Sequence, residues 1–98
     1  MATFITLIKF TPEGMAKIQD TVKRAEAFRS VAQKHGAKVI GEYWSMGAFD
    51  GLLIFEAADD QAASALLFHL AHEGYVQTQT ARAFTASEMD KILKATGK

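Results

Sequence analysis

Two segments of this chain are apolar on both faces that a β-strand presents. In Phe4-Ile5-Thr6-Leu7-Ile8, Phe4 and Ile8 are apolar, and so are the intervening Ile5 and Leu7. In Leu52-Leu53-Ile54-Phe55 no position is polar. Side chains alternate between the two faces of a strand, so these strands require cover above and below. The chain has 98 residues, the size of a single domain, here residues 1–98. Once its own helices cover one face, little of so short a chain remains for the other. The expectation is a homodimer or higher oligomer, stacked sheet to sheet.

The order of elements says which face is covered from within. "TFITLIKF", Thr3 to Phe10, reads as a first strand rich in β-branched and aromatic residues. Thr11 is placed to cap a short helix over Pro12–Ile18, with Pro12 at the first helical position and Glu13 near its positive end. A longer helix starts at Asp20 or Thr21 and runs to about His35, with Ala25, Phe28 and Ala32 as its buried stripe and Gly36 as its stop. "AKVIGEYWS" and "FDGLLIFEA" are two strands joined by a tight turn at Met46–Asp50. Asp59 and Asp60 then favour the start of a helix whose core stripe is Ala63, Leu66, Leu67 and Leu70, and Gly74 ends it. "YVQTQTARAF" is a fourth strand, and the capping box Thr85–Glu88 opens a last helix to about Lys94. The succession is β-α-β-β-α-β with a helix appended. It predicts an α+β, ferredoxin-like fold: a four-stranded antiparallel sheet with the two main helices on one face.

Hairpin parity distributes the aromatics of "YWSMGAFDG". An even loop puts Tyr43 on the face of Leu52 and Ile54, and Trp44 on the face of Gly51, Leu53 and Phe55; an odd loop reverses this. One ring then faces the helices and the other the space between subunits.

Charge and composition remove several function classes. Acidic and basic residues balance at 11 each with no basic run, which argues against nucleic-acid binding. The absence of cysteine excludes disulfides, thiolate catalysis and thiolate metal sites. The apolar stretch in "MATFITLIKF" is far short of the ~20 residues of a membrane span and has no charged leader, so a cytoplasmic location without membrane contact is expected.

The opening "TFITLIKFTPEG", the hairpin "GEYWSMGAFDGLLIFEAADD" and the closing "QTQTARAFTASE" resemble the GYD domain family, small proteins related to the dimeric α/β-barrel group. The family's naming pattern stands here as Gly47-Ala48-Phe49-Asp50, with Phe49 where the family typically has Tyr and Gly51 where a larger apolar residue is common. The resemblance implies a ferredoxin-like fold and a dimeric α/β-barrel assembly, and implies no particular reaction.

Five residues are the candidates for ligand contact: Tyr43, Trp44, Phe49, Asp50 and Arg82. Asp50 either shapes the turn, as Asp before Gly commonly does, or displays its carboxylate to a ligand. Tyr43 and Trp44 suit interface packing as well as a ligand box. Arg82, between Ala81 and Ala83, suits an anionic ligand or a carboxylate partner such as Asp50 or Glu42. His69 and His72 share a helix face with Glu73 close by, but H-E-x-x-H is absent and no third ligand is evident, so no metal is assigned; His35 suits a helix end. No phosphate loop or nucleophile elbow is present, and no cofactor is implied. The reading is a homo-oligomeric module that binds or senses a small apolar or anionic molecule. The alternative is a cofactor-independent oxygenase or isomerase working between the stacked sheets.

Overall fold

A computed structural model describes residues 1–97. Strands β1 (Ala2–Phe10), β2 (Lys38–Trp44), β3 (Gly51–Ala57) and β4 (Val76–Ala83) form one sheet in the order β2-β3-β1-β4. Every pairing is antiparallel, as the ferredoxin-like order requires. The helices are α1 (Pro12–Ala16), α2 (Thr21–Lys34), α3 (Asp60–His72) and α4 (Ala86–Ala95), with a 3-10 turn at Ile18–Asp20. The short first helix therefore ends earlier than its pattern suggests, because the chain tightens into that turn before α2. None of these helices is long and apolar enough to cross a membrane.

The core lies between α2, α3 and one face of the sheet. Phe4 stacks on Phe55 with ring centroids 5.4 Å apart, and Phe28, Ala32, Ala63 and Leu66 pack onto them. Alanines at the helix contact points let backbone and sheet approach closely. Thr6 is the one buried polar residue of this face, and its Oγ1 lies 2.8 Å from that of Thr80 on β4, which satisfies both hydroxyls.

The opposite face carries Ile5, Leu7, Leu52 and Ile54, by register with their buried neighbours, and no helix among the described residues packs extensively on it. A bulge at Ile40 breaks the β2 ladder between Val39 and Gly41. Such bulges blunt edge strands, and the period-2 pattern of the sequence gives no sign of this one.

Loop conformation follows the glycines at one decisive point. Gly47 has φ +105°, a region that L-residues with a Cβ avoid, and it lets the chain reverse between Trp44 and Gly51.

Candidate functional site

A partly open pocket of about 80 Å³ lies at one end of the sheet, beneath α2 and α3. Its floor is β-sheet: Ile8 from β1, Gly51 and Leu53 from β3, Trp44 from β2. Phe28 and Leu70 close it from the helices, and Arg24, Asp50, Glu73 and Tyr75 bring polarity to its walls. The space between stacked sheets, where the sequence places a ligand, lies on the other side of the sheet from this pocket.

The even register is the one found. Trp44 pairs with Gly51 and Tyr43 with Leu52, so Trp44 faces the helices and Tyr43 the open side. Trp44 Nε1 donates to Thr21 Oγ1 at 3.0 Å, which fixes the indole against the start of α2. Tyr43 lies over Gly41, where an added Cβ would come within 2.9 Å of its ring. Gly51 keeps the floor low for the Trp44 side: a Cβ there would meet the Tyr43 carbonyl at 3.0 Å.

Asp50 points neither into the turn nor away from the sheet. Its Oδ2 accepts from the Phe10 N–H at 2.9 Å, while its own N–H donates to the Ile8 carbonyl at 2.8 Å. The Ser45 N–H donates to the Asp50 carbonyl at 2.9 Å. Asp50 thus extends the β1·β3 ladder by side chain and main chain together, and is among the residues that line the pocket. Phe49 is not among the lining residues; its carbonyl accepts from Ser45 Oγ at 2.8 Å.

Arg82 lies at the far end of the sheet, opposite Phe4. It pairs with a carboxylate, but with Glu88 at 3.2 Å instead of Asp50 or Glu42. It also donates to the carbonyls of Thr3 and Ala83 and stacks 4.7 Å from the Phe84 ring. Its bonding capacity is spent on the β4–α4 junction. Glu88 in turn is held below the usual carboxylate range, first by the Thr85 backbone N–H and then by the Arg82 guanidinium. Glu42 is matched by Arg29, whose Nη2 and Nε reach one oxygen at 2.9 and 3.2 Å.

The cation at the cavity is Arg24, four residues before Phe28 on α2. Its guanidinium stacks 4.5 Å from the Tyr75 ring, and Nη1 donates to the Lys17 carbonyl at 2.9 Å. Nη2 is buried and has no partner among the described residues. A buried unpaired donor on a charged group is costly, so this atom is poised for an acceptor. Tyr75 is held in turn by α1: the Thr11 N–H bonds its carbonyl at 3.1 Å, and Thr11 Oγ1 donates to the Gly74 carbonyl at 2.6 Å. Gly14 sits so close that a Cβ would collide with the Tyr75 carbonyl oxygen. Arg24 was missed in the sequence, although its i, i+4 relation to Phe28 sets a cation on the buried stripe.

A second, open depression on the outer side of α3 gathers His35, Phe68, His69 and His72, with the rings of His35 and His69 centred 6.2 Å apart. Among the described residues no three His, Cys, Asp or Glu side chains converge as a metal site would require.

A model of the GYD domain matches residues 4–93. The chain is similar to a "Glutamine synthetase and cystathionine beta-lyase binding protein" of Thermus thermophilus, with 31% identity over 98 residues, covering 96% of this chain and 100% of that protein. Among solved structures it is similar to TTHA0845, also from Thermus thermophilus, with a TM-score of 0.55 and 22% identity over 88% of this chain and 96% of the other. That likeness speaks for the fold.

Proposed function

The chain belongs to the GYD domain family, and from that membership we propose that it is a self-associating binding module that holds a small carboxylate at Arg24. The buried, unpartnered Nη2 of Arg24 carries this reading. A guanidinium fixed by an aromatic ring and a carbonyl, with one idle donor facing an apolar space, suits an anionic oxygen. The carboxylates of Asp50 and Glu73 favour a ligand that also brings a hydrogen-bond donor, such as an α-amino or α-hydroxy acid. A volume of about 80 Å³ holds only a few atoms, whereas typical sites for larger substrates run from about 300 Å³. This supports binding or sensing over turnover of a bulky substrate.

The relative named for binding glutamine synthetase and cystathionine beta-lyase supports an output of the same kind here: contact with partner enzymes, adjusted by the bound molecule. The uncovered apolar sheet face supports self-association by stacking on a second copy. Calorimetric titration with lactate, alanine and propionate tests the ligand reading. Lactate or alanine should bind at least tenfold more tightly than propionate, and Arg24→Gln should abolish the signal. Equal heats from the Arg24→Gln variant would rule this site out.

A further inference from the structure

Among the described residues the last helix packs extensively on no other element. α4 has ten residues and one apolar side formed by Met89, Ile92 and Leu93, at i, i+3 and i+4. These are 44%, 38% and 52% exposed, and no strand or helix among the described residues packs extensively against α4. Its start is nevertheless firmly built: the capping box is complete and Arg82 holds Glu88. The radius of gyration is 14.9 Å, against about 12.5 Å for a compact chain of this length. A helix shorter than ~12–15 residues is marginal in water without a packed face. A well-capped helix leaving the body in a fixed direction therefore requires a surface that the described residues of the same chain do not supply.

A matching surface lies at the opposite edge of the sheet. Ile40, Tyr43 and Met46, on β2 and the hairpin that follows it, are all half exposed or more. α4 leaves from β4, the other edge strand. When two copies stack face to face about a two-fold axis parallel to the strands, the β4 edge of each lies opposite the β2 edge of the other. The contact then occurs twice by symmetry.

The areas agree with this. A four-stranded face measures roughly 19 by 25 Å from strand spacing and rise, so two stacked faces bury about 1,000 Å². That is below the ~1,200–2,000 Å² of a stable interface. A ten-residue helix has a footprint of about 150 Å², and two arms with the patches they cover add about 600 Å². With the arms the interface reaches the standard size.

We propose that α4 is an exchanged arm, whose Met89, Ile92 and Leu93 close on the β2 edge of a second copy at Ile40 and Tyr43. This rests on the sheet-to-sheet association proposed above and extends it. The absence of native cysteine makes the geometry directly testable. Copies carrying Ile92→Cys and copies carrying Tyr43→Cys, mixed and oxidised, should give the heterodisulfide in preference to either homodisulfide. Sedimentation equilibrium of an Ile92→Asp/Leu93→Asp chain should show dimer dissociation raised at least tenfold, and a chain ending at Ala83 should behave alike. Wild-type protein that stays monomeric at all concentrations would overturn the association reading and the arm with it. A wild-type dimer whose dissociation changes less than threefold in both variants, or a mixture without the heterodisulfide, would overturn the arm alone.

Discussion

Arg24 and Arg82 are built alike and used differently. Each guanidinium stacks on an aromatic ring, Tyr75 at 4.5 Å and Phe84 at 4.7 Å, and each donates to a backbone carbonyl. Arg82 then spends its remaining donors on Ala83 and Glu88, whereas Arg24 keeps Nη2 buried and unmatched. The difference lies in the neighbours. Arg82 stands where strand turns to helix, with the carbonyls of Thr3 and Ala83 and a capping Glu at hand; Arg24 stands on the wall of the pocket, where the Lys17 carbonyl is its one acceptor among the described residues. An arginine beside several acceptors becomes a staple, and one beside few keeps a donor unspent.

The largest expected effect breaks the Arg24 end alone. Gly14→Ala forces α1 off the Tyr75 carbonyl and should cost roughly 2–3 kcal/mol, read by chemical denaturation, with ligand binding lost as Tyr75 shifts. The Arg82 end should stay intact, checked by the amide shifts of Thr85 and Glu88. Arg82→Met should cost about 1 kcal/mol, since its ion pair is partly exposed, and should loosen α4 without changing ligand affinity. Asp50→Ala should cost about 1 kcal/mol by leaving the Phe10 N–H unmatched, while Asp50→Asn keeps an acceptor and should cost less than about 0.5 kcal/mol. Arg24→Met should leave stability within about 0.5 kcal/mol, because removing the costly unpaired Nη2 offsets the lost Lys17 hydrogen bond and Tyr75 stacking, yet remove ligand binding. A large loss of stability with Arg24→Met would turn Arg24 into a second staple and erase the contrast.

The smallest effect is set by pH. Glu88 is depressed below its ordinary value of 4.5 in the folded chain. Its contribution is therefore present above that value and fades as pH falls through the lower folded pKa. A carboxyl titration of Glu88 followed by NMR should show a depressed midpoint that returns toward 4.5 in Arg82→Met. An unchanged midpoint would remove Arg82 from its cause, leaving Thr85 alone.

The periodicities fixed the element order because helix and strand repeats are local properties of the backbone. The stripe Ala25, Phe28, Ala32 and the run Leu52–Phe55 could bury their apolar groups in few other ways. The Thr85–Glu88 box was likewise legible, since its two bonds lie within four residues. Parity even separated Tyr43 from Trp44. Tertiary structure alone decided the site. Asp50 finds its partner 40 residues away at Phe10, and Arg82 finds the carbonyl of Thr3 79 residues away. Whether a charged group is spent or free depends on which distant backbone groups are already bonded, and no local pattern records that. The bulge at Ile40 and the meeting of Arg24 with Tyr75 are of the same kind. Sequence set what each segment becomes; folding in three dimensions set which of its polar atoms were left over.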